Sequence, residues 1–214
     1  MRLIITRVNR AKLLVSLLFF TLLFSSQLAH SIPSGVGEIG DEGCLCHGAS
    51  SQSTSVIIAG IPQEWAANSS YEMSIIINSS IEISDEENAP IGGFRLMVDE
   101  GTILFADNDS AQVINDGYTH TSSGNQYRQW NFSWTAPSSN DSLVNFVVHG
   151  NAVNSNQQSS GDAWNSYSTA VAGEGYTGVI GESPNYSDEI QIREIALLLF
   201  AVISLVGLFY YSTK

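Results

Sequence analysis

The run Trp130-Asn131-Phe132-Ser133-Trp134 puts three aromatic side chains on one side of an extended chain and two polar ones on the other. A period of two belongs to a half-buried β-strand, and no helix can present those residues that way. Short runs rich in β-branched and aromatic residues recur along the middle of the chain: Thr54–Ala59, Tyr71–Asn78, Gly93–Val98, Thr102–Ala106, Gln112–Ile114, Tyr127–Trp134 and Leu143–Val148. Asn, Asp, Ser and Gly fill the spacers, as turns require. No amphipathic helical stretch stands out, and there is no internal repeat. Seven or eight short strands over about 130 residues predict an all-β domain, an antiparallel β-sandwich.

The two ends follow a different pattern. Arg2, Arg7, Arg10 and Lys12 precede the apolar stretch Leu13–Phe24, and Ala29-His30-Ser31 closes it with small residues. This is the grammar of a secretory signal peptide over 1–31. At the other end, Ile195–Tyr211 holds 17 residues without a charge, flanked by Arg193, Glu194 and Lys214. As a helix it would cover about 25 Å, enough for a single-pass transmembrane anchor over 194–214. The expected topology has the middle outside the cell membrane and the C-terminus in the cytoplasm. The intervening chain divides into a leader, 32–53, a β-sandwich, 54–172, and an acidic Gly- and Pro-containing stalk, 173–193.

Charge follows the same division. The whole chain carries −13, but four of its eight basic residues lie in the signal segment. Between Ile32 and Arg193 only three arginines face 20 acidic residues, a net charge near −17. Such a surface repels phosphate backbones and excludes nucleic acid as a partner. It suits a solvated exterior in a salty medium. Six N-x-S/T sequons, at Asn68, Asn78, Asn108, Asn131, Asn140 and Asn185, fit a glycosylated outer surface.

Only one short stretch concentrates chemistry: Gly43-Cys44-Leu45-Cys46-His47-Gly48, which holds both cysteines of the chain. Two cysteines exclude a disulfide-dense scaffold and a four-thiolate zinc site. Thiolate and imidazole suit the same soft and borderline metals, so two thiols and a His within four residues can converge on one centre. Four readings are open. Covalent haem would join the thiols to the haem vinyls with His47 as axial ligand, although attachment usually uses C-x-x-C-H and this chain has C-x-C-H. A copper or zinc site would use Cys44, Cys46, His47 and a distant His. A Cys44–Cys46 disulfide would close a small, strained ring and act as a redox pair. The fourth reading is two inert thiols.

The Gly-rich lead into that motif is followed in order by Gly92-Gly93-Phe94, Thr119-His120-Thr121, Trp130 through Trp134-Thr135-Ala136-Pro137, Gly150-Asn151-Ala152-Val153-Asn154 and Gly161-Asp162-Ala163-Trp164. This ordered set resembles the microbial choice-of-anchor V domain proteins, which are similar to the reelin domain of eukaryotic extracellular proteins. The resemblance spans roughly Gly40 to Val171. It implies an immunoglobulin-like sandwich, secreted and held at the cell surface by a variable C-terminal anchor. It also implies c-type haem attachment at the position of Cys44–His47, where this chain departs in spacing. No established enzymatic activity comes with it.

The remaining candidates are weaker. His120 is a second ligand for a site on His47, or a histidine hydrogen-bonded to a neighbouring strand. His149 falls on the face opposite Val144, Phe146 and Val148. Met97 is a soft axial ligand or, on the blander reading, core. Trp130 and Trp134 read as core aromatics. Asp107-Asn108-Asp109 spaces oxygens as calcium loops do, but reads as a solvated turn. Arg95 and Arg128 are expected to pair with acids across the sheet. No catalytic constellation appears. The functional expectations are therefore a surface redox or metal-binding protein with a redox or cell-surface protein partner, or a non-catalytic adhesion module.

Overall fold

The computed structural model describes residues 32–181 and 192–213. The signal-like segment 1–31 and the sequon at Asn185 lie outside them. The described residues fall into two units, one holding 32–181 and the other 192–213.

The larger unit contains ten strands among its described residues: β1 (Thr54–Ala59), β2 (Glu64–Trp65), β3 (Ser70–Ser79), β4 (Gly92–Val98), β5 (Thr102–Phe105), β6 (Ala111–Ile114), β7 (Gly117–His120), β8 (Gln129–Thr135), β9 (Leu143–Ala152) and β10 (Ala163–Gly173). They form a four-stranded sheet, β1-β3-β8-β5, and a six-stranded sheet, β2-β10-β9-β4-β7-β6. All pairings are antiparallel except the short β2–β10 contact. The order β1-β3-β8-β5 over β10-β9-β4 is that of an immunoglobulin sandwich, with the β6–β7 hairpin added at one edge.

Alternation builds the interior. Trp130, Phe132 and Trp134 of β8 enter the core, while Asn131 stays exposed. They meet Met73, Ile75 and Ile77 from β3, Phe94 and Leu96 from β4, and Val144, Phe146 and Val148 from β9. Aromatic edges knit the two sheets: Trp134 meets Phe146 with centroids 5.1 Å apart, and Phe94 meets Trp130 at 4.7 Å. The indole N–H groups of Trp130 and Trp134 donate to the carbonyls of Gly124 and Glu100. Both tryptophans are core residues, as the pattern requires.

Three strands were not visible in the sequence pattern. β10 is the informative case, because its half-polar stretch Asn165-Ser166-Tyr167-Ser168-Thr169 lacks an apolar period. It is held by a ten-residue register with β9 rather than by a greasy face. Met97 is half-buried and stands outside the core cluster, since its strand neighbours Leu96 and Phe94 take the inward positions.

The six-stranded sheet is buried on its outer face as well, because residues 33–48 lie across it. Arg95, only 1% exposed, projects outward from β4 and holds this strap. Its Nε donates to Asp41 Oδ1 at 2.7 Å, and its Nη atoms donate to the carbonyls of Ile114, Asn115 and Val36. The Val36 N–H donates to Thr119 Oγ1, and Asn125 Nδ2 donates to the Pro33 carbonyl. Thus Arg95 pairs with an acid on the strap, not across the sheet. Among the described residues Arg128 meets no acid: it donates to the carbonyls of Ile91, Ile81 and Val153.

The other unit contributes helix α1, Ile192–Thr213, whose described side chains are exposed. Among the described residues no helix is long and apolar enough to cross a membrane. The side chains of Leu197, Leu208 and both helix ends lie outside the described set.

Candidate functional site

The strap carries the Cys/His cluster onto the sheet. Residues 45–47 form one 3₁₀ turn, closed by the His47 N–H donating to the Cys44 carbonyl at 2.8 Å. With three residues per turn, positions 44 and 47 fall on the same side. Gly48, at φ 92°, ends the turn in a conformation that favours glycine. Trp164 fills the space beneath. Gly43 lies flat on its indole at φ +118°, where any Cβ would strike the ring, and its Nε1 donates to the Gly48 carbonyl at 2.8 Å.

His47 is fixed from a distant part of the chain. Its Nδ1 donates to Asp162 Oδ2 at 2.7 Å, and the Asp162 side chain is 2% exposed. Asp162 Oδ1 accepts the Asn154 N–H at 3.0 Å. A carboxylate holding Nδ1 orients the ring and leaves Nε2 as the nitrogen that can ligate. Asp162 was not singled out by sequence reasoning, beyond its place in an ordered motif.

His120, at the end of β7, lies over Gly93 of β4. A Cβ on Gly93 would come within 2.7 Å of the imidazole, so the Gly92-Gly93 step makes room for the ring. His120 Nδ1 accepts the Phe94 N–H at 3.1 Å. Burial holds its pKa below the ordinary value; His47 adds to the lowering, and backbone bonds to Phe94 and Ile32 oppose it. The strand-bonded reading of His120 is what the geometry displays.

Cys44, Cys46, His47 and His120 all line one largely apolar cavity of about 90 Å³, with Val36, Ile39 and Val153 among its walls. Both cysteines are free thiols, Cys44 half-buried and Cys46 exposed. Burial, and secondarily Cys46, pushes the Cys44 thiol up to about 12. No Cys44–Cys46 disulfide is present.

The cavity of about 90 Å³ is smaller than the roughly 300 Å³ at which pockets for drug-sized ligands begin, and the C-x-C spacing departs from the C-x-x-C-H of covalent haem attachment. Zinc requires four ligands, or three and a water. Among the described residues no group of three or more His, Cys, Asp or Glu side chains is placed to hold a metal ion. What the residues do supply is two free cysteines two positions apart, one half-buried and one exposed, lining the same mainly apolar cavity as an oriented imidazole.

The other candidates sit elsewhere. His149 does face away from the core, as its strand position requires, yet the strap buries it. Its Nδ1 bonds Ser166 Oγ at 2.6 Å and its Nε2 the Asp41 carbonyl at 2.9 Å. Asp107 Oδ1 accepts the Asp109 N–H in a local turn. Asn68, Asn78, Asn108 and Asn131 are exposed and Asn140 is half-buried.

These features define a two-sheet β-sandwich with a strapped face and a thiol–imidazole cavity. No family model matches the chain, and no curated protein matches it. Among solved structures it is similar to the human F-spondin reeler domain, at 13% identity over 65% of this chain and 100% of that one, TM-score 0.42. The Reelin-N domain of F-spondin matches at 14% identity over 59% of this chain and 89% of that one, TM-score 0.40. A conjugative transposon lipoprotein from Bacteroides eggerthii matches at 17% over 55% and 97%, TM-score 0.35. Likeness at this level transfers no ligand, activity or partner.

Proposed function

We propose that the protein is a β-sandwich displayed outside the cell whose cavity binds a soft monovalent copper ion through Cys44 and Cys46. The observation that carries this is that Cys44, Cys46 and the Asp162-oriented His47 all line one mainly apolar cavity, with both cysteines free. A closed-shell cuprous ion accepts two thiolates alone, whereas zinc and porphyrin need more donors or more room. Binding displaces the Cys44 proton, and His47 stands ready as an additional donor when the turn relaxes. A thiolate-held copper suits electron exchange with a surface redox partner. The display rests on the signal-like 1–31, the uncharged Ile195–Tyr211 and the near absence of positive charge between them.

The test is copper content of the purified full-length protein after loading with cuprous ion. One ion per chain is expected in the native protein and none in the double variant Cys44→Ser, Cys46→Ser. Equal copper in both would end this reading, and a Soret band in natively expressed protein would replace it with haem.

A second reading, a recognition module, draws on the exposed apolar residues Leu104 and Val113 on the outer strands β5 and β6. It predicts that the double serine variant keeps its cell-surface binding, while Leu104→Ser or Val113→Ser loses it.

A further inference from the structure

The two thiols of the cluster differ in access. Cys46 is exposed, while Cys44 is half-buried with its thiol pushed up to about 12. One short 3₁₀ turn carries both, Cys44 capping it and Cys46 within it. The turn is held on either side: Gly43 lies on the Trp164 indole, whose Nε1 donates to the Gly48 carbonyl at 2.8 Å. His47 falls on the same side of the turn as Cys44. Because Asp162 takes its Nδ1, Nε2 is the ring atom left to accept a proton. Ile39 and Leu45 line the same cavity yet are 66% and 56% exposed, an apolar rim at its opening.

An outside molecule can reach one thiol of such a pair, and meets the other only after capture. We propose that Cys46 and Cys44 form a thiol–disulfide exchange couple that acts on disulfides set in apolar stretches of polypeptide. Cys46, as thiolate, attacks one sulfur of the partner's disulfide; that S–S bond breaks, and the other sulfur leaves and takes up a proton. A mixed disulfide now joins Cys46 to the partner. His47 Nε2 removes the Cys44 proton, and the Cys44 thiolate attacks the Cys46 sulfur. The second partner sulfur leaves with the proton from His47. Two electrons have moved: the partner's disulfide is reduced to two thiols, and the Cys44–Cys46 pair is oxidised to a disulfide. A partner dithiol running the same steps in reverse restores the free pair. Burial assigns the order, since a thiol held protonated needs a base beside it and acts second. The rim and the charge assign the substrate: the surface between 32 and 193 is strongly acidic and repels anionic glutathione, whereas a neutral apolar segment can lie on Ile39 and Leu45. No metal enters these steps, so the inference stands apart from the copper reading although it uses the same cysteines.

The test mixes reduced full-length protein, kept in a metal chelator, with a cystine peptide flanked by leucines and blocked at its ends. Samples are alkylated at intervals and weighed. Native protein should end as the Cys44–Cys46 disulfide, with both peptide halves released and no lasting adduct. Cys44→Ser should stop with one peptide half on Cys46. Cys46→Ser should react more than about tenfold more slowly. In His47→Gln the adduct should form at the native rate and persist on the order of 100-fold longer, a split that a merely structural role would not produce. Leu45→Ser should slow the peptide reaction and leave that with oxidised glutathione unchanged. A stable adduct on native protein overturns the proposal, as does equal reactivity of the two single-serine variants. If those variants do not fold, the native product alone decides between adduct and disulfide. Equal rates for the peptide and oxidised glutathione overturn the apolar substrate. Copper uptake is measured separately, so either reading can fall alone.

Discussion

At the scale of single residues, the cavity sorts side chains by access. Cys46 is exposed, whereas Cys44 is half-buried with its thiol pushed up to about 12, so little of it is thiolate near neutrality. Iodoacetamide is therefore expected to modify Cys46 first, with Cys44 following only on unfolding; peptide mapping by mass reads the order. Asp162 is the residue that turns His47 from a loop histidine into an oriented one. Asp162→Asn keeps the shape but weakens the hold on Nδ1, and a 10- to 100-fold loss of cuprous affinity is the scale for an orienting partner of a metal ligand. Affinity within twofold of native would show that His47 takes no part. The chemistry of Cys44, Cys46 and His47 was legible in the linear motif. Asp162 and Asn151 were not, because Asp162 acts on His47 from 115 positions away and Asn151 takes its place through the pairing of β9 with β4 and β10.

At the scale of elements, the strap and the β4–β7 step decide the site. Gly93→Ala sets a methyl 2.7 Å from His120, and neither β4 nor β7 can withdraw from the sheet. Overpacking of this kind costs about 1–3 kcal/mol, and urea unfolding should show it along with displacement of the ring. Arg95→Met should cost about 2–3 kcal/mol, since the carbonyls of Ile114 and Asn115 lose their buried donor. Limited proteolysis of that variant should cut within 33–48 first; cleavage no faster than in native protein would mean that the strap is held by other contacts. Strand alternation in β8 and β9 was plain from sequence. The strap was not, because Gly-rich irregular chain has no period to betray what it covers.

At the scale of the whole molecule, two buried histidines set the response to acid. His120 and His149 both have pKa values lowered, chiefly by burial. Around His149, Asp41 and Glu42 oppose the lowering and Arg95 reinforces it. In the unfolded chain both titrate near the ordinary value of about 6.5. Below that pH the unfolded state binds protons that the folded state refuses, so stability is full above about 6.5 and falls on acidification. The slope approaches about 1.4 kcal/mol per pH unit for each histidine. Melting temperatures between pH 7.5 and 5 should drop, and His149→Gln should flatten the profile. An unchanged profile in that variant would place the acid sensitivity elsewhere.

Period-two alternation, turn-rich spacers and the placement of charge determined by themselves that this chain makes a β-sandwich, because burying alternate side chains is a local property of each strand. They also determined that its only concentrated soft-ligand chemistry is Cys44, Cys46 and His47. Only the tertiary structure decided that residues 33–48 close over the six-stranded sheet, that His47 leans on Asp162, and that Asn151 stands in the wall of the cavity. Those facts depend on which distant residues a register brings face to face, and that is set by the packing of the whole sandwich rather than by any stretch of sequence.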